Sequence, residues 1–204
     1  SNWYSIHNPI TNNMIISGQD IPTILENNEI YYNPYGSEKF TEAMRDFHNL
    51  FVKRMLIEKV SNRNNTLIDY ACGKGGDFPK WISSKLDFVF GIDIFKDNLE
   101  NKLNGACARF LNYKKELKNV PYALFVHGNS ALNIRNGQAL LNDKALAITN
   151  SVFAIGELNE KLGPAVTRQY GKGHDGFNIS SIQFALHYMF ESNDSLFNFI
   201  RNVA

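Results

Sequence analysis

The sequence predicts an α/β fold built on a doubly wound, mostly parallel sheet, and three observations carry that prediction. The stretch LIDYACGKGGDFPKW, Leu67 to Trp81, reads as a buried strand, a glycine turn and a helix. FVFGIDI, Phe88 to Ile94, follows as a second strand that ends in an acid. Both apolar runs lack the polar alternation of a one-sided sheet, as parallel strands covered on both faces should. A chain of 204 residues, 44% of them hydrophobic, is long enough to build one substantial core.

Residues 1–33 are irregular, with turn signals at Asn8-Pro9 and Gly18. They read either as an arm packed on the domain through Trp3, Ile6, Ile15 and Ile16, or as an interdomain linker. The domain itself is expected over 34–204. From Ser37, a candidate N-cap, to Val60 a helix is predicted, because Phe40, Ala43, Met44, Phe47, Phe51, Met55 and Ile57 recur at helical spacing. Asn49 and Lys53 are four residues apart and share one face of it. A lysine on such a helix is ordinarily a solvated charge, and His48 reads as a surface or packing histidine.

After strand one (Thr66, Leu67, Ile68), Gly73, Gly75 and Gly76 let the backbone turn sharply and approach a ligand closely. Asp77 to Ser84 is the next predicted helix. Asp77 complements its dipole, Pro79 sits in the first turn, and Lys80 reads as a solvated helix charge. Asp93 lies twenty positions after Gly73, at the carboxyl edge of the sheet. An acid there is placed to hydrogen-bond a ribose hydroxyl. Lys96 to Tyr113 reads as a helix with Leu99, Leu103, Ala106 and Phe110 inward. Strand three, Tyr122 to Val126, runs into His127-Gly128-Asn129-Ser130.

The stretch from Leu132 to Gly176 fits this fold least well. It holds a helix around Leu140 to Ile155 and the glycine-rich QYGKGHDG, Gln169 to Gly176, whose Lys172 and His174 read as loop charges or as phosphate contacts. Strand four, Phe177 to Phe184, leads into Gln183-Phe184-Ala185-Leu186-His187-Tyr188 at the carboxyl edge. A final helix, Ser192 to Ala204, carries Leu196, Phe197 and Ile200 on one face, with Ser192 or Asp194 as its cap.

Charge and cysteine content exclude several function classes. Lys+Arg 21 against Asp+Glu 20 leaves a net charge of +1, which argues against a protein that coats nucleic acid and allows only a local basic site. Two cysteines, Cys72 and Cys107, make neither a disulfide framework nor a zinc set, and they fit a reduced intracellular compartment. The five histidines fall at no paired metal-ligand spacing. No run reaches the ~18 apolar residues of a membrane helix, and no basic-then-apolar leader opens the sequence.

The glycine pattern narrows the ligand. A dinucleotide fingerprint needs G-x-G-x-x-G with a helix N-terminus aimed at pyrophosphate. Here the pattern is G-x-G-G followed at once by Asp77. A carboxylate at that point repels pyrophosphate and suits the ammonium of S-adenosyl-L-methionine. A plain tight turn is the alternative for the glycines alone; the acid at 93 tips the balance towards a nucleoside ligand.

Three segments then carry a specific resemblance: CGKGGD at Cys72 to Asp77, RDFHNLFVKRMLI at Arg45 to Ile57, and ISSIQFALHYMFES at Ile179 to Ser192. In order and spacing they resemble the mRNA cap (guanine-N7) methyltransferases, and the layout is most similar to the methyltransferase region of the multifunctional capping enzymes of large DNA viruses. The resemblance runs from about Tyr32 to the end, apart from Leu132 to Gly176. It implies a Rossmann-like S-adenosylmethionine-dependent methyltransferase fold.

The resemblance also implies roles for particular residues. Lys53 would contact the methionine carboxylate of the cofactor. Asp69, Gly73, Asp77, Asp93, Gln183, Phe184 and Tyr188 join it as cofactor contacts. Asn129 and Ser130 would contact adenine; the family commonly has Asp at the first of these, and an Asx turn ending the strand is the other reading of Asn129. Asn49 would line the cap pocket, Lys74 face the cap triphosphate, and His187 with Tyr188 face the guanine. The family often has an acid where Asn178 stands.

The implied cofactor is S-adenosyl-L-methionine, with S-adenosyl-L-homocysteine as product. The implied substrate is RNA with a GpppN 5′ end, and the implied partners are linked guanylyltransferase and triphosphatase domains. No membrane partner is expected. The implied compartment is the cytoplasm, or a viral factory or virion. The family continues with a further strand and an antiparallel pair beyond the point where this sequence stops, so the sheet and guanine pocket are expected to be C-terminally incomplete. Direct displacement by N7 needs no general base, so no catalytic dyad or triad is expected. The rival readings are a methyltransferase for another substrate, a non-catalytic partner of the same fold, and an NAD enzyme.

Overall fold

A computed structural model describes residues 42–204. The expected cap Ser37, the apolar Phe40 and the expected arm at 1–33 lie outside the described residues. The first described helix is not uniform. It begins as α1 (Glu42–Asp46), passes through a π-helical turn (Phe47–Val52) and continues as α2 (Lys53–Val60). A π turn changes the helical phase and is often found at functional sites. Here it undoes the expected apolar face. Ile57 is buried, whereas Met44, Phe47, Phe51 and Met55 are exposed. Phe47 and Phe51 stack on each other at 5.6 Å, and His48 packs edge-on against Phe184 at 5.0 Å.

Four strands form one parallel sheet: β1 (Thr66–Asp69), β2 (Phe88–Asp93), β3 (Tyr122–His127) and β4 (Ile179–Ser181), in the order β3-β2-β1-β4. The order turns back at β1, so helices cover both faces. Alternate residues of each strand enter opposite cores. Leu67, Val89, Ala123 and Ile179 pack with Phe78 and Trp81 of α3 (Phe78–Ser83) and with Ile57. Ile68, Phe88, Phe90, Ile92 and Val126 pack on the other side with Ile148 and Val152 of α6 (Asp143–Val152) and with Phe199. This two-sided burial is why the strands read as unbroken apolar runs.

The predicted helix from Lys96 to Tyr113 is two helices, α4 (Lys96–Glu100) and α5 (Ala106–Glu116). Asn101 causes the break. Its ψ of 122° leaves the helical region, and its side-chain oxygen accepts from the backbone N–H groups of Leu103 and Asn104. Leu103, expected inward, is therefore turned out and is 87% exposed.

The stretch Leu132 to Gly176 is the crossover between β3 and β4. Asn142 caps α6 by accepting from Ala145 N–H at 2.8 Å. A short helix, α7 (Pro164–Thr167), follows. The glycine-rich loop then packs back on α6 through Gly171 N–H to Ser151 O and Gly173 N–H to Val152 O. Lys172 there pairs with Asp87 at 2.6 Å.

Strand β4 is shorter than predicted, spanning Ile179–Ser181, and three residues beyond it Phe184 takes a positive φ of 59°. Asn178 extends the β1–β4 pairing by one position, its side-chain oxygen accepting from Thr66 N–H at 2.8 Å. Any acceptor oxygen serves there, an acid included.

The last helix, α8 (Asn193–Val203), is capped by Ser192 as expected, Ser195 N–H donating to Ser192 Oγ. Its inward residue is Phe199, edge-on to Tyr70 at 5.3 Å. Phe197 and Ile200 point out. Asn202 sets this rotation. It donates to Ser130 O and Leu132 O, accepts from Ile134 N–H, and lends its carbonyl to Tyr70 Oη–H.

Leu67→Ala should cost about 2–5 kcal/mol, as for truncation of a fully buried side chain. Leu103→Ala should stay within about 0.5 kcal/mol. Denaturant titration of both variants checks this pair, and a large loss at Leu103 would contradict the broken helix.

Candidate functional site

The site lies at the carboxyl ends of β1 and β2, beside the β1–β4 boundary where the strand order reverses and ligands of open α/β sheets bind. Its first component is the turn after β1. Cys72 N–H donates to Ile92 O at 3.0 Å, and Gly75 N–H to Cys72 O at 2.9 Å. Gly73 and Gly75 have φ of +54° and +69°, which other residues adopt only with strain. A Cβ on Gly75 would lie 2.5 Å from the Phe78 ring, whereas one on Gly73 would meet nothing within 4 Å. The turn is thus packed on its inner side and open on its outer side.

Asp93 holds that turn in place. Its Oδ2 accepts from Gly73 N–H at 2.7 Å, and its Oδ1 accepts from Phe95 N–H at 2.9 Å and from Asn98 Nδ2 at 3.0 Å. An ionised carboxylate offers about four acceptor directions. Among the described residues three are taken, and the fourth, on Oδ2, is left for a hydroxyl donor.

A second cluster sits on the α3 side. Asp77 occupies the N-cap position of α3, yet its side chain makes no cap bond. Its Oδ1 lies 2.7 Å from Lys80 Nζ, and its Oδ2 lies 3.6 Å from Lys53 Nζ. The 2.7 Å contact is an ion pair approached too obliquely for a hydrogen bond, so Oδ1 accepts none among the described residues. Lys53 Nζ also lies 5.1 Å from the Phe184 ring, within cation–π range.

Lys80 corrects the sequence reading. Its side chain is 5% exposed, and Nζ reaches back to Gly76 O at 3.3 Å as well as to Asp77. A buried ammonium needs such partners. The available signal was the three-residue spacing from Asp77, which places the two side chains on neighbouring positions of a helix.

Asp69 lies at the end of β1, fully buried. Burial, reinforced by the neighbouring Asp77 charge, raises its pKa to about 7, against the opposing pull of the Ala71 N–H and Lys53. Burial also holds the Cys72 thiol well above its ordinary range, which makes it a packing group rather than a nucleophile.

The structure thus brings together Gly73 with Asp93, and Lys53 with Asp77 and Phe184. Other expected residues sit differently. Ser130 is buried and donates its hydroxyl to Tyr70 O at 2.7 Å. Asn129 closes an Asx turn by accepting from Ala131 N–H at 2.9 Å. Lys74 extends along the α4–α5 side, donating to Asn104 Oδ1 at 3.0 Å and lying 3.6 Å from Asp97. Arg109 of α5 donates to Lys74 O at 3.2 Å, a second cation there that the sequence reading did not single out.

Gln183 donates to Ser181 Oγ at 3.4 Å beside the end of β4. His187 and Tyr188 are exposed and lie ring against ring at 4.0 Å. Asn49 is half-buried in the π turn. Asn98, which orients Asp93, was also missed, since an asparagine five residues after an acid has no sequence signature.

The family model described as the mRNA (guanine-N(7))-methyltransferase domain matches residues 37–204. The probable mRNA-capping enzyme of Acanthamoeba polyphaga mimivirus is 25% identical over 98% of this chain and 17% of its own length. The mRNA cap guanine-N(7) methyltransferases of Eremothecium gossypii and Saccharomyces cerevisiae are each 27% identical over 79% of this chain and 29% of their own lengths. The chain therefore spans less than a third of each of these relatives.

The raised Asp69 pKa predicts a direction of pH dependence. A carboxyl whose folded value lies above its unfolded value of 3.8 destabilises the fold as pH rises from about 4 to about 7. Asp69→Asn removes that loss. Its Tm relative to the unaltered protein should rise by about 3 °C or more between pH 5 and pH 8. A difference that stays flat across this range in thermal melts would rule the burial effect out.

Proposed function

Because the chain belongs to the mRNA (guanine-N(7))-methyltransferase domain family, we propose that it is the methyl-transfer portion of an mRNA-capping protein. It takes a methyl group from S-adenosyl-L-methionine to N7 of the guanine in a GpppN cap and leaves S-adenosyl-L-homocysteine. Residues 34–204 form its domain, preceded by an arm or linker at 1–33. The single observation that carries this reading is the Asp93–Gly73 bond at the carboxyl edge, with Asp77 and Lys53 alongside.

The residues fit such a donor. Asp93 has one acceptor direction left for a ribose hydroxyl, and the outer side of Gly73 is open. Asp77 Oδ2 and Lys53 Nζ offer one negative and one positive group to an amino acid's ammonium and carboxylate. The exposed Phe184 ring beside Lys53 offers an apolar surface to the adenosine. When bound, S-adenosyl-L-methionine supplies an electrophilic methyl group on a sulfonium.

The chain's own residues then act by positioning. Asn49, His187 and Tyr188 orient the cap guanine, and Lys74 with Arg109 faces its phosphates. Guanine N7 carries an available lone pair, so no side chain has to remove a proton. Orientation of reacting groups is worth roughly 7–11 kcal/mol in favourable cases, and fixed charges around a cation that is being neutralised add to it.

The mimivirus relative's name, and the small share of it that this chain covers, support linked guanylyltransferase and triphosphatase domains. Among the described residues no helix is long and apolar enough to cross a membrane. The two free cysteines, Cys72 and Cys107, support a reduced compartment, and we place the protein in the cytoplasm.

Lys53→Ala should weaken S-adenosyl-L-homocysteine binding by about tenfold, the loss expected when one charge-assisted contact goes. His187→Ala should leave that affinity unchanged and lower methyl transfer to GpppRNA. Isothermal titration and a radioactive methyl assay separate the two effects. Transfer to an uncapped nucleoside in preference to GpppRNA would refute the substrate assignment.

A further inference from the structure

Lys80 is a buried ammonium with no role in the site as assigned so far. It comes from α3, 5% exposed, and meets Asp77 Oδ1 at 2.7 Å and Gly76 O at 3.3 Å. Asp77 is therefore flanked by two ammoniums at unequal distances, 2.7 Å on the α3 side and 3.6 Å from Lys53 on the helix that carries Phe184's neighbour His48. The two lysines are not equivalent. Lys80 is fixed inside, bridging the carboxylate and the turn's own backbone. Lys53 comes from a separate helix and is 15% exposed.

A single carboxylate cannot neutralise both. With Lys80 as the near counter-ion of Oδ1, Oδ2 keeps the longer 3.6 Å contact with Lys53. A ligand that carries both charges can therefore exchange the long Oδ2–Lys53 contact for two of its own, its ammonium at Oδ2 and its carboxylate at Lys53. Without Lys80, Lys53 would be the nearest cation among the described residues to a buried carboxylate, and the two would close on each other because a buried unpaired charge is costly.

Resting on the methyl-donor reading above, we propose that Lys80 is a positioning residue for the amino-acid end of the donor. It acts through Asp77, holding Oδ2 towards the ligand ammonium and keeping Lys53 available for the ligand carboxylate. The chemical class recognised is a nucleoside bearing a zwitterionic α-amino acid. The nucleoside end is assigned to Asp93 and Gly73, whereas Lys80 meets the chain at Gly76 O and Asp77.

The test compares two probes, S-adenosyl-L-homocysteine and 5′-methylthioadenosine, which lacks the amino-acid end. Lys80→Met should weaken the first on the order of tenfold or more and the second by less than about twofold. Lys80→Arg should recover part of the loss, since it restores the charge. Asp77→Asn alone and the double variant Asp77→Asn/Lys80→Met should show the same loss, because Lys80 works only through Asp77.

The double variant carries no unpaired buried charge, so it reports even where Lys80→Met does not fold. Equal weakening of both probes, unchanged binding of both, or additive losses in the double variant would overturn the role of Lys80 while leaving the donor reading intact. Failure of the unaltered protein to bind either probe would overturn the donor reading and this proposal with it.

Discussion

The site depends on one hydrogen bond, from Gly73 N–H to Asp93 Oδ2 at 2.7 Å. It ties the turn after β1 to the end of β2, two segments twenty residues apart that become neighbours only because the strands pair in parallel register. A charge-assisted bond of this length is among the stronger ones available to a backbone amide. It also commits Asp93. With Phe95 and Asn98 taking Oδ1, the carboxylate is held in one orientation and retains a single acceptor direction. A ligand therefore meets a group that needs no reorganisation, which is where affinity and orientation are gained cheaply.

The charges around the turn follow a related logic. Asp69, Asp77 and Asp93 converge on the carboxyl edges of β1 and β2, and among the described residues Lys53 and Lys80 offset them at close range. The consequence falls on Asp69, the most deeply buried of the three, whose proton is held to about neutrality. Carboxylates gathered in this way disfavour one another's charge and are stabilised by a nearby cation. Perturbed acids are a recognised mark of function, and here burial is the larger cause, with the Asp77 charge adding to it.

Much of the fold was legible beforehand because parallel strands and glycine turns leave local signatures. Thr66–Asp69, Phe88–Asp93 and Tyr122–His127 stand where the apolar runs placed them. Where a local pattern misled, a side chain had competed with the backbone or with the core. Asn101 broke a helix whose apolar spacing ran straight through it. Asn202 rotated α8 so that Phe199 faced the core instead of Phe197 and Ile200. The π turn at Phe47–Val52 shifted a helical phase that the apolar spacing reads as constant. Each of these depends on partners far away in the chain or on hydrogen bonding that residue types do not announce.

The amino-acid order alone determined the strand–turn–helix frame, the two carboxylates that bracket it, and the family, since glycine conformation and strand burial are dictated within a few residues. Tertiary structure alone decided which charges pair. That Lys80 is buried against Asp77, that Asn98 locks Asp93, and that Lys53 reaches the same carboxylate from a different helix are facts about distance across folded segments. Electrostatic energy falls with separation in space and with exposure to water, and neither quantity is written in the spacing of residues along the chain.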